Sequence, residues 1–253
     1  MRGAALVRQP STRLAEGLVT HIERAPVEVD LARRQHRAYC AALADAGWSV
    51  REVSLAEDCP DSVFVEDTVV VCDSLAVLTR PGAETRRAEV AGTEAAVRDL
   101  GLDIVRIEEP GTLDGGDVLQ SGPTVYVGRG GRTNGDGIRQ LRRHLSTVGR
   151  TVVPVALRDV LHLKSAVTAL PDGTFLALPH LFDSAVFPAL RVVAEEPGAH
   201  VVPIGDGRVL MSASAGLTAA LLDDLGFTPV LVDISEYEKL EGCVTCLSVL
   251  IPA

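Results

Sequence analysis

Two cysteines stand three residues apart in Cys243-Val-Thr-Cys246, close to the end of the 253-residue chain. A C-x-x-C pair is compatible with redox work, with half of a zinc site, or with two small buried hydrophobes. Zinc would need two further ligands at local spacing, and Cys40, Cys59 and Cys72 are isolated. A thioredoxin-like pair opens a helix near the start of a βαβ pattern, whereas this one precedes a strand-like run. His162 lies in Val160-Leu-His-Leu-Lys-Ser-Ala166, whose alternation predicts a strand with His162 and Lys164 on one face and the leucines on the other. A lone histidine on such a face is commonly a satisfied core residue. The segment Leu113-Asp-Gly-Gly-Asp117 has the composition of a tight hairpin turn. In Asp61-Ser-Val-Phe-Val-Glu-Asp67, by contrast, Glu66 and Asp67 fall between strongly apolar runs, where burying carboxylates is costly unless a cation pairs with them. A cationic ligand would meet that need.

A cysteine, a histidine and several carboxylates are together the set required for displacement at a guanidinium carbon. The planar cation demands acceptors on its edge, which carboxylates supply in pairs. A thiolate attacks the central carbon, favoured by a neighbouring imidazolium and by the substrate's own charge. The histidine can then protonate the departing amine and activate water.

These residues must be brought together by short elements. Strand patterns cover Ala5–Arg8, Ser49–Ser54, Thr68–Cys72, Leu75–Thr79, Asp103–Ile107, Thr124–Gly128, Thr151–Val155, Ala166–Leu170, Thr174–Leu178, Val201–Ile204, Arg208–Ser212, Pro229–Ile234 and Leu247–Ile251. Helical spacing covers Asp30–Ala46, Thr85–Leu100, Gly135–Leu145, Ser184–Glu195 and Leu217–Leu225. A hairpin followed by one helix and one more strand is a ββαβ unit. It returns about every fifty residues, around Asp67, Asp117, His162 and Gly205 and again where the last strand can join the first, which predicts a closed ring of five repeats. No G-x-G-x-x-G follows a strand, and the Gly-rich stretch Gly128–Gly137 lacks a Walker lysine, so a nucleotide-binding Rossmann reading is disfavoured. Residues 1–253 read as a single catalytic domain, with Gln9–Pro26 as a flap over a site.

Apolar residues make up 47% of the chain and aromatics 4%, with Val, Ala and Leu dominant, which favours a mixed α/β protein of short aliphatic strands. The net charge is −10 and basic residues are scattered among acidic ones, so the basic stripe of a nucleic-acid-binding protein is missing. The first residues show no signal-peptide pattern and no apolar run reaches membrane-spanning length. Five cysteines form an odd set that fits reduced thiols. The expectation is a cytoplasmic protein, with an exposed sheet edge that permits a homodimer.

Six ordered blocks, Pro60-Asp-Ser-Val-Phe-Val-Glu-Asp67, Thr79-Arg-Pro-Gly-Ala with Arg86-Arg87, Thr112-Leu-Asp-Gly-Gly-Asp117, Arg132-Thr-Asn134, Leu161-His-Leu-Lys-Ser165 and Thr245-Cys-Leu-Ser-Val-Leu250, resemble the dimethylarginine dimethylaminohydrolases of the guanidino-modifying (pentein) superfamily. The resemblance runs nearly end to end. It implies a five-bladed α/β propeller of ββαβ units with pseudo-fivefold symmetry, and hydrolysis of Nω-methylated arginine to citrulline and a methylamine with no metal or organic cofactor. It further implies Cys246 as nucleophile, His162 as general acid and then base, and Asp114 as the carboxylate orienting the guanidinium and His162. Glu66 and Asp67 would hold the guanidinium edge, and Arg86 and Arg132 the substrate α-carboxylate. Asp61 and the backbone near Leu18 and Leu240 would hold the α-amino end. Position 114 is Asp where some bacterial relatives carry Glu, and Leu247 stands where mammalian members show a second cysteine. Cys243 is read as packing, with an inactivating disulfide to Cys246 as the alternative. Arginine deiminases share the constellation but carry an extra helical domain. A silent binder of cationic amino acids is disfavoured because Cys246 and His162 both stand in their motif contexts, and a redox protein built on Cys243 and Cys246 is the weakest alternative.

Overall fold

The computed structural model describes residues 2–253; Met1, the first residue of the predicted single domain, lies outside them. In chain order the elements are β1 (Gly3–Val7), α1 (Val29–Asp45), β2 (Ser49–Glu52), β3 (Val69–Cys72), β4 (Leu75–Leu78), α2 (Val90–Asp99), β5 (Asp103–Arg106), β6 (Val118–Ser121), β7 (Thr124–Arg129), α3 (Gly135–Ser146), β8 (Thr151–Ala156), β9 (Val167–Ala169), β10 (Phe175–Ala177), β11 (Leu190–Val192), β12 (Val201–Gly205), β13 (Arg208–Ser212), α4 (Gly216–Asp224), β14 (Thr228–Val232), α5 (Ser235–Glu238) and β15 (Val249–Pro252). They form five three-stranded sheets: β15-β1-β2, β3-β4-β5, β6-β7-β8, β9-β10-β11 and β12-β13-β14. In every sheet the middle strand pairs antiparallel with one neighbour and parallel with the other. A tight hairpin makes the antiparallel step, and a longer connection makes the parallel one. The first sheet takes its antiparallel strand from the far end of the chain, with Ala4 opposite Ile251 and Leu6 opposite Val249.

Sequence explains why these strands are buried on both faces. Val-Val-Val-Cys of β3 and Leu-Ala-Val-Leu of β4 carry no polar alternation and no exposed residue, so each face packs on a neighbouring layer. Asp73 takes a positive φ of 53° in the turn between them, a conformation that aspartate tolerates better than most residues. In α1 the buried residues Ala32, Gln35, His36, Tyr39 and Leu43 recur at helical spacing and press on the first sheet's core.

Three expectations from the pattern need correction. Ser184–Glu195 is not a helix: Ser184–Val186 makes one 3-10 turn capped by the Asp183 carboxylate, and the chain then extends into β11. Pro188 is the cause, since it forces Phe187 into an extended conformation, φ −98° and ψ 130°. The unit around His162 therefore lacks a crossover helix. Second, Leu163–Ser165 is a 3-10 turn and not a continuation of a strand, so the alternating faces assigned to His162 and Lys164 do not exist. Third, Glu84–Glu89, read as the start of one helix, is 3-10 and places Arg86 inward before α2 begins. Strands β6 and β11 were not expected, being short and of mixed polarity.

Candidate active site

One local motif recurs at the entrance of each sheet. A single 3-10 turn precedes β3 (Val65–Thr68), β6 (Gly115–Asp117), β9 (Leu163–Ser165), β12 (Glu196–Ala199) and β15 (Val244–Leu247). Four of these turns carry Asp67, Asp114 with Asp117, His162, and Cys246, respectively, within the turn or at the residue just before it. The turns pack against one another, so residues far apart in the chain meet in one place. Gly115 and Gly116 make that approach close enough. A Cβ on Gly115 would fall 2.0 Å from the Glu66 carbonyl oxygen, and one on Gly116 would fall 2.7 Å from His162 Nδ1 and 2.8 Å from Asp67 Oδ1.

The result is a narrow cleft whose wall includes Cys246, His162, Asp67, Asp61, Arg86, Arg132, Leu18 and Leu240. His162 Nε2 lies 3.0 Å from Asp114 Oδ2 and 3.9 Å from Asp67 Oδ1. Asp114 Oδ1 accepts from the Gly82 backbone N–H at 2.8 Å, and Arg132 Nη1 stands 3.9 Å from Asp114 Oδ2. Beneath them Asp117 accepts from the Leu163 backbone N–H at 3.0 Å, which anchors the His162 turn. Burial alone would drive the imidazole to its neutral form. The charge of Asp67, the hydrogen bond to Asp114 and the charge of Asp117 overcome that effect and raise His162 to about 9. His162 is therefore an imidazolium at neutral pH. Asp67 is the reciprocal case: burial disfavours its charge, but His162 and Arg86 hold it well below the ordinary carboxylate range. Asp117, fully buried, is pushed up to about 7 by that burial.

Arg86 reaches the cleft wall with most of its donors engaged. It donates to Asp67 at 2.5 Å, to both oxygens of Glu89, and to the carbonyls of Asp61 and Phe64. Glu66 faces away from the cleft. Its Oε1 accepts from Lys164 Nζ at 2.5 Å, and the pair lines a second cavity with Gly115, Thr245 and Ser248. Burial raises Glu66 to about 7 in spite of Lys164. The expectation that a ligand cation must answer the burial of Glu66 and Asp67 is thus corrected: Lys164 answers the first, and Arg86 with His162 the second. Lys164, Glu89, Asp117 and the Gly115-Gly116 pair are residues that sequence reasoning did not single out as site residues. The two glycines beside Asp114 were the available signal, since paired glycines mark close backbone approach as well as turns.

Cys246 is 5% exposed and Cys243 3%. Their Sγ atoms are 3.1 Å apart, and Cys243 Sγ also lies 3.2 Å from Thr245 Oγ1. The sulfur–sulfur hydrogen bond splits the two acidities: Cys243 is held well below the ordinary thiol range and Cys246 is pushed well above it. The pair gives up one proton readily and keeps the second, and burial with the charges of Glu66 and Asp67 keeps that second proton on Cys246. Asp67, Asp114 and His162 also bring ligand atoms within 4.8 Å of one another. Those atoms already bond to one another, to Arg86 and to backbone N–H groups, so the set is a poor fit to a metal ion.

Part of the 9–26 segment touches the wall of this cleft through Leu18. The Leu18 backbone N–H donates to both oxygens of Asp61 at 3.0 and 3.2 Å. The backbone N–H groups of Thr20 and His21 donate to Glu241, and Arg132 Nη2 reaches Thr20 Oγ1 at 3.4 Å.

No protein-family model matches the chain. The chain is 61% identical over 246 residues to an N(G),N(G)-dimethylarginine dimethylaminohydrolase of Streptomyces coelicolor, covering 97% of this chain and 95% of that protein. Among solved structures it is similar to the dimethylarginine dimethylaminohydrolase of Pseudomonas aeruginosa, a cysteine-to-serine mutant complexed with citrulline. That match has 33% identity and a TM-score of 0.92, and it covers 98% of this chain and 99% of the other. A further similar structure is a dimethylarginine dimethylaminohydrolase histidine-to-glycine adduct with S-methyl-L-thiocitrulline, at 33% identity, TM-score 0.93 and the same coverage.

Proposed function

This chain belongs to the dimethylarginine dimethylaminohydrolase family, and from that premise we propose how its cleft hydrolyses Nω-methylated L-arginine to L-citrulline and a methylamine. One observation carries the assignment of roles. Cys246 and a protonated His162 face the same cleft, with Asp67, Asp114 and Arg132 around them.

In the free enzyme Cys246 keeps its proton because Cys243, Glu66 and Asp67 all disfavour a second negative charge there. A bound guanidinium cancels the field of Asp67, and the thiol then ionises beside the cation it attacks. The thiolate adds to the guanidinium carbon, and the C=N electron pair moves to nitrogen. His162 donates a proton to the methylated nitrogen, which leaves as a neutral amine and breaks the C–N bond. An S-alkylthiouronium remains on Cys246. Neutral His162 then takes a proton from water, hydroxide adds to the same carbon, and the C–S bond breaks to release citrulline and the thiolate. Asp114 holds the imidazole and the guanidinium in line, and its Gly82 contact fixes the carboxylate for that task. Arg132 binds the α-carboxylate. Arg86 adds positive potential at the same end while its own fork stays on Asp67 and Glu89. Asp61 and the backbone near Leu18 and Leu240 take the α-amino group, and Asp67 holds the guanidinium edge, while Glu66 stays paired with Lys164 outside the cleft wall.

The five sheets are read as blades of a closed propeller with pseudo-fivefold symmetry, in one catalytic domain whose 9–26 segment serves as flap. The reduced thiols suit a cytoplasmic setting, and among the described residues no helix is long and apolar enough to cross a membrane. Half-exposed Leu231 on the outer strand β14 offers an edge for a homodimer. The net charge of −10 argues against a nucleic-acid partner.

The decisive assay incubates purified protein with asymmetric dimethylarginine and measures citrulline. Wild type forms product and Cys246→Ala forms none. Product from Cys246→Ala at the wild-type rate, or turnover of unmethylated arginine in preference to the methylated forms, would overturn the reading.

A further inference from the structure

The reaction needs one thiol, and the structure supplies two in contact. Cys243 and Cys246 lie at the two ends of the turn closed by the hydrogen bond from the Cys246 N–H to the Cys243 carbonyl at 3.1 Å. With about three residues per turn, a 3-10 turn eclipses positions i and i+3, and so it stacks these two sulfurs 3.1 Å apart. The remaining cysteines are engaged elsewhere. Cys40 sits on the His36 ring, Cys72 donates to Gln120, and the Cys59 sulfur lies 4.0 Å from the Thr85 carbonyl. Access differs within the pair: Cys246 lines the cleft, and Cys243 is not part of its wall. A small polar oxidant entering the cleft meets Cys246 first and finds Cys243 directly behind it.

We propose that Cys243 is the resolving thiol of a peroxide-sensitive pair, forming a reversible disulfide with Cys246 that removes the nucleophile and protects it from over-oxidation. In the first step Cys246 passes its proton to the Cys243 thiolate across the sulfur–sulfur contact, and the Cys246 sulfur attacks hydrogen peroxide. The O–O bond breaks, an S–O bond forms, and hydroxide leaves as water after taking the proton from Cys243, which restores the Cys243 thiolate. In the second step the Cys243 thiolate attacks the Cys246 sulfur, an S–S bond forms, the S–O bond breaks, and a second water departs. Overall two thiols lose two hydrogens, and one peroxide becomes two waters. The sulfurs need to close from 3.1 Å to about 2.05 Å, within reach of side-chain rotation. A sulfenic acid held against a buried neighbouring thiol condenses before a second oxidant molecule arrives, which stops the ladder short of the irreversible sulfinic acid. That the disulfide silences turnover rests on Cys246 being the nucleophile. The disulfide chemistry itself does not.

The test uses a feature of the sequence. No lysine or arginine follows Lys239, so trypsin releases Leu240–Ala253 as one peptide containing Cys243 and Cys246 and no other cysteine. Wild-type protein treated with a few equivalents of hydrogen peroxide is alkylated with iodoacetamide, digested and weighed, with citrulline formation measured in parallel. The expected peptide is two hydrogens lighter than the reduced form and carries no carbamidomethyl group. Activity falls in step with its appearance, and dithiothreitol restores both. In Cys243→Ser the same treatment gives Cys246 sulfinic acid, and dithiothreitol fails to restore activity relative to the untreated variant. A wild-type peptide oxidised at Cys246 alone, with Cys243 still alkylated, overturns the proposal. An untreated wild type without turnover would count against the assigned reaction and leave the mass readout to decide the thiol pair.

Discussion

His162 owes its charge to three carboxylates, and this sets how the rate must respond to pH. Its value is raised to about 9, so the proton needed by the departing amine is present at neutral pH and is lost as pH rises through that value. The rate should therefore fall on the alkaline side near pH 9. Asp114 contributes through the 3.0 Å hydrogen bond to Nε2. In Asp114→Asn the amide keeps the shape but loses the charge, so the imidazolium is less favoured and the alkaline limb should move down by about one unit or more. A pH profile of kcat for the two proteins checks this; a limb that does not move would mean that Asp114 acts by position alone. The linkage to stability has the same sign. A raised histidine stabilises the fold fully below its ordinary value and loses that contribution as pH climbs through 9, whereas Asp67, held low by His162 and Arg86, stabilises above the ordinary carboxylate range and loses its contribution as pH falls.

At the scale of elements, the 3-10 turn ahead of each sheet is the device that builds the site, and Gly116 is where its tolerance bears directly on His162. Gly116→Ala puts a methyl 2.7 Å from His162 Nδ1 and 2.8 Å from Asp67 Oδ1, distances at which the ring must move. The expected outcome is a fall in kcat of roughly tenfold or more, the consequence of about an ångström of misplacement. Circular dichroism should show an otherwise native fold; a variant with wild-type kcat would show that the turns have slack. The turns also mark the limit of what the sequence discloses. The aliphatic strands, α1 and α3, and the recurrence of the hairpin units are legible because burial on a strand face or helix stripe imposes periods of 2 and 3.6. A single 3-10 turn is too short to impose any period. Leu161-His-Leu-Lys therefore reads as a strand, and Glu66 and Asp67 appear as neighbours that need one cation when opposite directions give them different ones, Lys164 and Arg86. The absent helix after Ser184 was recoverable from Pro188. The contact of Cys243 with Cys246 was not: C-x-x-C spacing alone leaves open whether the two residues occupy a strand or a turn.

Across the whole molecule, the nucleophile near the C-terminus is positioned by the first helix of the chain. Tyr39 of α1 is fully buried, and its hydroxyl donates to the Val244 carbonyl at 2.8 Å and pairs with Ser248 Oγ at 2.7 Å. Those two residues bracket Cys246. The β15 strand that follows is held in turn by antiparallel pairing with β1, so the pairing of the two ends of the chain also bears on where the thiol sits. Tyr39→Phe keeps the ring packed in the core shared with Cys243 and Cys246 but leaves a buried carbonyl and a hydroxyl short of a partner, at a cost of about 1–3 kcal/mol. For a chain of this size that corresponds to a melting temperature lower by a few degrees. The activity consequence separates two roles for the contact. If the hydroxyl fixes the turn, kcat drops while KM for the methylated arginine holds, because the groups proposed to bind the two ends of the substrate, Arg132 and Asp61, make no contact with Tyr39. If the hydroxyl only contributes to stability, the melting temperature falls and kcat stays at the wild-type value. Measuring both on one preparation, well below the variant's melting temperature, decides whether the Tyr39 contact also sets the aim of the nucleophile.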